Sequence, residues 1–217
     1  EYVASLIRGA PGVEVVLRVE HNFGRSESIK VVREQLSPAT TRIEKSRTVL
    51  SIGIRRFTAA TVKEVRDALT GTTAGVLKFD LRGCQGGELE PAVEIASMFM
   101  EQGEAVLSLR ERGKPDDVRT VRKPREFKIP TIVFVQDEGT ASAAEVLIAA
   151  LIGSPSNRAA SQGAKSYGKG VFQVALQLQG GGTLILTTGE IFAANGQGWE
   201  GRGLLPSVEN GGKIFPK

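Results

Sequence analysis

The chain has 217 residues, of which 41% are hydrophobic and 24% are charged, and its formal net charge at pH 7 is +4. This composition is that of an ordinary globular protein with enough apolar material for a buried core. The length allows one large domain, or a small domain followed by a larger one. The positive charge is spread thinly, and its densest run is "RKPREFK" at residues 122–128. One short run of this kind is typical of a solvated loop, so the sequence does not indicate a nucleic-acid-binding protein.

Cysteine usage and hydropathy exclude two further classes. Cys84 is the only cysteine, which excludes a disulfide within the chain. No stretch of about 18 consecutive apolar residues occurs, so we expect no membrane-spanning helix. The first residues also lack the pattern of a secretory signal peptide, so we expect no targeting segment in this sequence.

Residues 1–36 are predicted to form a small unit of their own. "EYVASLIRG" has the spacing of a short helix with Val3, Leu6 and Ile7 on its buried face. "VEVVLRVEH" and "SIKVVREQL" alternate apolar and polar residues, as half-buried strands do. The polar segment "SPATTRIEKS" follows, so we assign residues 37–217 to a second domain that begins with a linker over about 37–46.

The second domain alternates predicted strands and helices. "TVLSIGIRRF", "GVLKFDLRG", "EAVLSLRE" and "TIVFVQD" are predicted strands, and "VFQVALQL" and "TLILTTGEIF" are predicted to complete the same sheet. "TAATVKEVRDALTG", "EPAVEIASMFMEQG" and an apolar segment from Ser142 are predicted helices, and residues 111–128 are a polar excursion. This alternation predicts a layered α/β domain with binding loops at the ends of its strands.

Two glycine-rich segments have the letters of nucleotide-binding motifs without their context. "GAKSYGKG" at residues 163–170 matches G-x-x-x-x-G-K, but Gly170 stands where a serine or threonine is required and a predicted strand follows instead of a helix. "GQGWEG" at residues 196–201 matches G-x-G-x-x-G, but no strand–helix–strand unit surrounds it. Neither segment therefore predicts a nucleotide site.

A third glycine pattern, "FDLRGCQGGEL", runs from a predicted strand through a loop into a helix. Gly86 and Gly87 leave backbone N–H groups free to point at a ligand oxygen, as an oxyanion hole requires. A plain strand-to-helix turn has the same letters, so this loop does not by itself distinguish the two.

Ser142 also has two interpretations. "SAAE" from Ser142 to Glu145 is a capping box, in which the serine and the glutamate satisfy free amides at a helix start. A helix N-terminus would equally stabilise a serine oxygen that gains negative charge, and the Ala143 amide could join that of Gly86 around an oxyanion.

A nucleophilic serine needs a base, and the only histidine, His21, lies in the small first unit. Lys169 is the candidate, because a lysine can replace histidine in serine proteases. Lys169 must then be neutral, which burial among apolar groups favours. Gln173 lies four residues further on, and strand alternation would place it on the same face, where it could orient the amine without adding charge.

Four segments in this order, "DLRGCQGG", "EGTASAAEV", "SYGKGVFQ" and "GRGLLPSV", resemble the C-terminal processing (tail-specific) serine proteases, and the resemblance covers nearly the whole chain. It implies Ser142 as nucleophile, Lys169 as general base and Gln173 as its support. It also implies oxyanion amides at Gly86 and Ala143, and supporting roles for Gly87 and Glu145. The implied fold is an α/β spiral core like that of crotonase and Clp protease, and residues 1–36 resemble the closing third of a PDZ domain.

The resemblance further implies that the chain acts on the C-termini of proteins or peptides, without metal, cofactor or nucleic acid. It implies an extracytoplasmic location, in a bacterial periplasm or thylakoid lumen, and leaves open a homo-oligomer or a regulatory partner. The alternative is a catalytically silent peptide-binding scaffold on the same fold, with Ser142 only a helix cap.

Four departures from the family pattern stand out. Residues 1–36 correspond to only the closing third of a PDZ domain, Cys84 stands at the position of the usual Asn, and Ser207 stands at that of the usual Asp. The interval of 27 residues from Ser142 to Lys169 is slightly long, and "IGSPSNRAA" is the expected place of the extra length. None of these departures removes a catalytic atom.

Overall fold

The computed structural model describes residues 6–21, 24–34 and 39–208, and the chain divides into two compact units, residues 1–38 and 39–217. The first unit contains β1 (Glu14–Glu20) and β2 (Ser26–Val32), two strands that the alternating pattern predicted and that pair antiparallel. Every residue of β2 is exposed, so the expectation that this strand is half-buried is wrong. The predicted first helix lies mostly outside the described residues. Leu6 and Ile7 are helical but 57% and 46% exposed, so the expectation that they are buried is wrong.

The second unit is built on a five-stranded sheet. Its strands are β3 (Thr41–Lys45), β4 (Val49–Ile54), β5 (Val76–Asp80), β8 (Thr131–Gln136) and β9 (Ala159–Gly163). They lie in the order β3-β4-β5-β8-β9, with β3 antiparallel to β4 and the other neighbours parallel. Residues 41–45, which we expected in the linker, therefore belong to the sheet, because Ile43 and its neighbours find backbone partners along β4.

Four more strands form a separate antiparallel sheet. They are β6 (Ala105–Glu111), β7 (Asp117–Thr120), β10 (Val171–Gln177) and β11 (Thr183–Ala193), in the order β10-β11-β6-β7. The expectation that the last two strands complete the first sheet is wrong, since the edge next to β8 is occupied by β9. Sequence patterning also missed β7, whose exposed residues lie within the polar excursion.

Three helices, α1 (Ala59–Leu69), α2 (Leu89–Ser97) and α3 (Ala143–Gly153), lie in the segments where the sequence predicted them, but α2 ends at Ser97, short of the predicted end near Gly103. Thr58 occupies the N-cap of α1, and Ser142 occupies that of α3. Nearly every residue of α3 is buried, so this helix runs through the core with no polar face toward water.

The core between the sheet and the helices is aromatic at its centre. The rings of Phe79 on β5 and Phe134 on β8 stack with centroids 5.6 Å apart, and the ring of Phe99 meets Phe79 edge-on at 6.1 Å. All three side chains are fully buried. The parallel strands therefore have a rigid base, and the loops at their carboxyl ends are anchored to it.

Glu64 on α1 holds the start of β3, the first strand of this sheet, by hydrogen bonds. Its carboxylate accepts hydrogen bonds from the backbone and hydroxyl groups of Thr40 and Thr41, the shortest from Thr41 Oγ1 at 2.7 Å. The Thr40 carbonyl in turn accepts the N–H of Arg55 at 2.8 Å. Burial raises the pKa of Glu64, but these hydrogen bonds outweigh burial and hold the pKa below its usual value of 4.5.

We predict that Glu64→Gln lowers the free energy of unfolding at pH 7 by about 1–2 kcal/mol, because an amide cannot accept from all of these donors. A carboxylate with a lowered pKa stabilises the fold above its unfolded-state pKa, and this contribution is lost as the pH falls through the folded-state value. The difference between the two proteins, measured by denaturant titration, should therefore close below pH 4.5. Glu44→Gln, at an exposed residue paired with Arg42, is the control and should change stability by less than about 0.5 kcal/mol. A difference that stays constant with pH would contradict the role given to Glu64.

Candidate active site

The loops that follow β4, β5, β8 and β9 meet at one edge of the sheet. They comprise residues 55–57, 81–88, 137–142 and 164–170. Because these four strands are parallel and adjacent, their carboxyl ends lie side by side, which is where α/β sheets bind ligands. Most of the candidate residues from the sequence, including Gly86, Ser142 and Lys169, lie on these loops.

Ser142 occupies a strained turn between β8 and α3. Its backbone has φ 57° and ψ −119°, and no other non-glycine residue in the described ranges has a positive φ. Such a conformation costs on the order of 1–3 kcal/mol and persists only where the surroundings enforce it. A serine on a strained strand-to-helix turn is the geometry of a nucleophile elbow, which projects the hydroxyl away from the sheet.

Glu145 is the group that enforces this turn. Its carboxylate is fully buried and accepts four hydrogen bonds, one from the backbone N–H of Ser142 at 2.8 Å. The other three come from the opposite loop: Ser166 Oγ at 2.6 Å, Gly168 N–H at 2.7 Å and Lys169 N–H at 2.9 Å. A carboxylate has about four acceptor sites, so this one is saturated. Glu145 thus joins the turn that carries Ser142 to the loop that carries Lys169.

Ser142 and Lys169 line the same cavity, which has a volume of about 540 Å³. Both residues are half-buried. Within the described ranges, no carboxylate forms an ion pair with the Lys169 ammonium. The remaining lining residues of the cavity are Arg55, Arg56, Gly83, Gln85, Gly86 and Gly87. A hydroxyl and an amine without an acidic partner therefore share one solvent-filled cleft.

The glycine loop lies directly against the Ser142 turn. A Cβ on Gly86 would come within 2.7 Å of the Ala141 carbonyl oxygen and 2.9 Å of the Ala143 nitrogen, so only glycine fits there. Gly86 also has φ 94°. Ala143 is the first residue of α3, where the helix offers no acceptor for its N–H. The backbones of Gly86 and Ala143 are thus adjacent beside Ser142.

Gly87 joins the glycine loop to the segment after β4. Its φ is 147°, and a Cβ there would lie 2.3 Å from the Phe57 carbonyl oxygen. Phe57 N–H donates to the Gly86 carbonyl at 3.0 Å, and Glu88 N–H donates to the Phe57 carbonyl at 2.9 Å. Gly87 therefore allows two backbones to pass close to each other.

Cys84 is a core residue of the same loop and is fully buried. Burial raises the pKa of its thiol, against a smaller opposing effect of the Gly86 N–H. The thiol is therefore neutral at pH 7 and fills apolar space below the cleft. The backbone carbonyl of Cys84 accepts the N–H of Ala141 at 2.9 Å, which joins the glycine loop to the Ser142 turn by a hydrogen bond.

Three supporting residues were not identified from the sequence. Thr140 is buried and donates to the Leu81 carbonyl at 2.8 Å, and Asp137 accepts the N–H of Gly83 at 2.9 Å. Ser166 is buried, donates to Glu145 and accepts the Leu204 N–H at 2.7 Å. Their polar side chains follow no hydrophobic period, so only the three-dimensional structure reveals their partners.

The side chain of Gln173 forms a hydrogen bond to β11 and, within the described ranges, none to Lys169. This side chain is exposed, and its Nε2 donates to Thr187 Oγ1 on β11 at 3.2 Å. The expectation relied on strand alternation from Lys169, but β10 begins only at Val171 and its pairing is irregular between Phe172 and Gln173. The structure therefore brings together Ser142, Lys169, Gly86, Ala143 and Glu145 without Gln173.

His21 and Ser207, two further residues singled out in the sequence, lie in different units. His21 lies in the first unit, where its Nε2 is 2.9 Å from Glu27 Oε1. Ser207 Oγ accepts the N–H of Ser161 on β9 at 2.7 Å, and its own N–H donates to Ser161 Oγ at 3.1 Å. Ser207 thus serves to pin the end of the described chain to the sheet.

In the described part of the chain, no group of three or more His, Cys, Asp or Glu side chains is arranged to hold a metal ion. The helices of this part include none that is both long enough and apolar enough to cross a membrane.

Comparison with known proteins identifies relatives over most of the chain. The sequence is 31% identical over 209 residues to the carboxy-terminal processing protease CtpA of Bacillus subtilis, an alignment that covers 94% of this chain and 44% of that protein. It is 31% identical over 206 residues to a probable CtpA-like serine protease of Staphylococcus aureus, covering 93% of this chain and 41% of the relative. The chain thus spans less than half the length of these two relatives.

The fold has a solved counterpart as well. The photosystem II D1 C-terminal processing protease superposes with a TM-score of 0.71 over 93% of this chain and 56% of that one, at 19% sequence identity. At that identity the likeness shows a shared fold. The model of peptidase family S41 matches residues 48–210, which include the whole cleft described above. The chain is therefore a member of peptidase family S41.

Proposed function

We propose that this protein is a serine endopeptidase that cleaves near the C-terminus of protein substrates, with Ser142 as nucleophile and Lys169 as general base. One observation carries the proposal: the two side chains line one cavity while the backbone amides of both residues bind the same buried carboxylate of Glu145. The strained turn at Ser142 supports it, because a helix cap alone needs no positive φ at a serine.

The chemistry follows from these two groups. Ser142 Oγ attacks the scissile carbonyl carbon, and its proton passes to the neutral amine of Lys169. When the peptide C–N bond breaks, the Lys169 ammonium returns a proton to the leaving amine, and the substrate remains as an ester on Ser142. Water then attacks the ester with Lys169 again accepting the proton, which releases the acid and restores the serine hydroxyl.

The negative oxygen of the tetrahedral intermediate needs donors, and we propose the backbone amides of Gly86 and Ala143. Their adjacency beside Ser142 supports this, as does the position of Ala143 at the start of α3, where the helix dipole favours negative charge. Loss of one such donor in other serine proteases costs about 10²–10³ in kcat. Gly87 and Glu145 have supporting roles, and a direct role of Gln173 requires its amide to leave Thr187 for Lys169.

We also propose a spiral core, a PDZ-like module at residues 1–36 and an extracytoplasmic location. The five-stranded sheet with its parallel strands and the separate antiparallel sheet are consistent with a spiral core like those of crotonase and Clp protease. We propose that residues 1–36 are the end of a PDZ-like module, with the antiparallel hairpin of β1 and β2 as support. The relatives named above favour an extracytoplasmic site of action on protein substrates.

We predict that Ser142→Ala and Ser142→Gly both abolish cleavage of a peptide with a free C-terminus, as followed by mass spectrometry of the products. The two variants should differ in stability, because Gly adopts φ 57° without strain and Ala does not. Ser142→Gly should therefore unfold with a free energy about 1 kcal/mol above that of Ser142→Ala. If either variant cleaved the peptide at the wild-type rate, Ser142 would not be the nucleophile, and the peptide-binding scaffold would be favoured.

We predict that Lys169→Arg is as inactive as Lys169→Ala, because a guanidinium stays protonated in proteins and cannot act as a base. The rate of peptide cleavage is the measurement, and circular dichroism confirms folding. His21→Asn is the control and should cleave at the wild-type rate, since His21 lies in the other unit and contacts Glu27. Substantial activity of Lys169→Arg, or loss of activity in His21→Asn, would contradict the Ser–Lys assignment.

A further inference from the structure

Arg55 and Arg56 enter the catalytic cleft from the end of β4. Both side chains are exposed, and both line the cavity that contains Ser142 and Lys169. Neither forms an ion pair within the described ranges. The residues that line the cavity include no acidic side chain. One end of the cleft therefore carries two positive charges with no partner supplied by its walls, a feature that the acyl-transfer chemistry does not use.

The backbone that carries these arginines is fixed even though their side chains are free. Arg55 N–H donates to the Thr40 carbonyl at 2.8 Å, and the Arg56 carbonyl accepts from Thr61 Oγ1 at 2.8 Å. The next residue, Phe57, is joined to the glycine loop by two backbone hydrogen bonds. The arginine pair and the Gly86 amide thus belong to one connected segment.

The strand order shows on which side of Ser142 the arginine pair lies along the sheet and gives its approximate distance from Ser142. Ser142 follows β8, Lys169 follows β9 on one side, and Arg55 follows β4 two strands away on the other side. Neighbouring strands lie about 4.8 Å apart, so the base of the arginine turn is roughly 10 Å from the Ser142 turn. An extended peptide rises about 3.3 Å per residue, so about three residues span this distance, and about five when the arginine side chains extend.

We propose that Arg55 and Arg56 bind a carboxylate of the substrate about three to five residues from the scissile bond. The proposed cleavage near the C-terminus places this carboxylate on the leaving-group side. Guanidinium groups pair with carboxylates through two parallel hydrogen bonds. The carboxylate is either the free C-terminus, which exists only on the leaving-group side, or an Asp or Glu side chain in that segment. The inference rests on the proposed peptidase function and gives the cleft its own selectivity for the ends of chains or for acidic segments.

The test uses matched peptides and one double variant. Each peptide is made with a C-terminal acid or amide, and in a second pair with Asp or Asn four residues beyond the cleavage site. For the wild-type protein we expect kcat/KM for the carboxylate form of at least one pair to exceed that of the neutral form by about tenfold or more. In Arg55→Gln/Arg56→Gln this ratio should fall to about one. Arg47→Gln, an exposed arginine outside the cavity, should keep the wild-type ratio.

A second readout separates this proposal from the peptidase function. Fluorescence anisotropy of labelled peptides on Ser142→Ala protein measures binding without cleavage, and the same acid-to-amide and Asp-to-Asn ratios should appear in Kd and vanish with the arginine pair. A wild-type protein that binds with these ratios but cleaves no peptide would contradict the peptidase function and support the arginine site. Equal affinity for carboxylate and neutral peptides, or ratios that persist in the double variant, would overturn the arginine site whatever the cleavage result.

Discussion

The buried carboxylate of Glu145 is the interaction on which the site depends. A charge without exposure to water is tolerated only where hydrogen bonds replace its hydration, and Glu145 has four such bonds. One of them holds the amide of Ser142 and three hold the loop from Ser166 to Lys169. Hydrogen bonds to a buried charge are strong. If either loop moved, the carboxylate would lose hydrogen bonds or become exposed to water. The strain at Ser142 is sustained by the same bonds.

Glycine packing provides the second constraint. The parallel sheet brings four loops to one edge, but side chains between them would keep their backbones apart. Gly86 and Gly87 remove that obstacle, so that one loop touches the Ser142 turn and the Phe57 segment at once. A further close approach occurs where Gly168 packs on Gly203, with 2.6 Å from a Cβ on Gly168 to the Gly203 nitrogen. The cleft is thus shaped by backbone contacts, and its few side chains are left to carry the chemistry.

Local patterns predicted the parts of the fold that depend on local sequence. The strands β4, β5 and β8 and the apolar helix after Ser142 follow directly from hydrophobic spacing, whereas the parallel strand β9 was not predicted. Which sheet a late strand joins is decided by long-range competition for an edge, so the placement of β10 and β11 was predicted wrongly. Ser142, Lys169 and the glycine loop were singled out because several chemical motifs in order are specific, and the structure places them around one cavity. Gln173 was assigned by alternation across an irregular start of β10, where no period holds.

The most direct test of the account is the rate at which an active-serine phosphonate probe modifies Ser142, with the modified residue located by mass spectrometry. Glu145→Gln should react at least about a hundredfold more slowly than the wild type while circular dichroism shows a folded protein. The NH₂ half of the glutamine amide is a donor, so it cannot accept the hydrogen bonds that the carboxylate oxygen accepts. Ser166→Ala, which removes one of the four bonds, should react at an intermediate rate. Glu138→Gln, at an exposed residue of the same turn, should react like the wild type. Wild-type reactivity of a folded Glu145→Gln protein, or modification of a serine other than Ser142, would contradict the account.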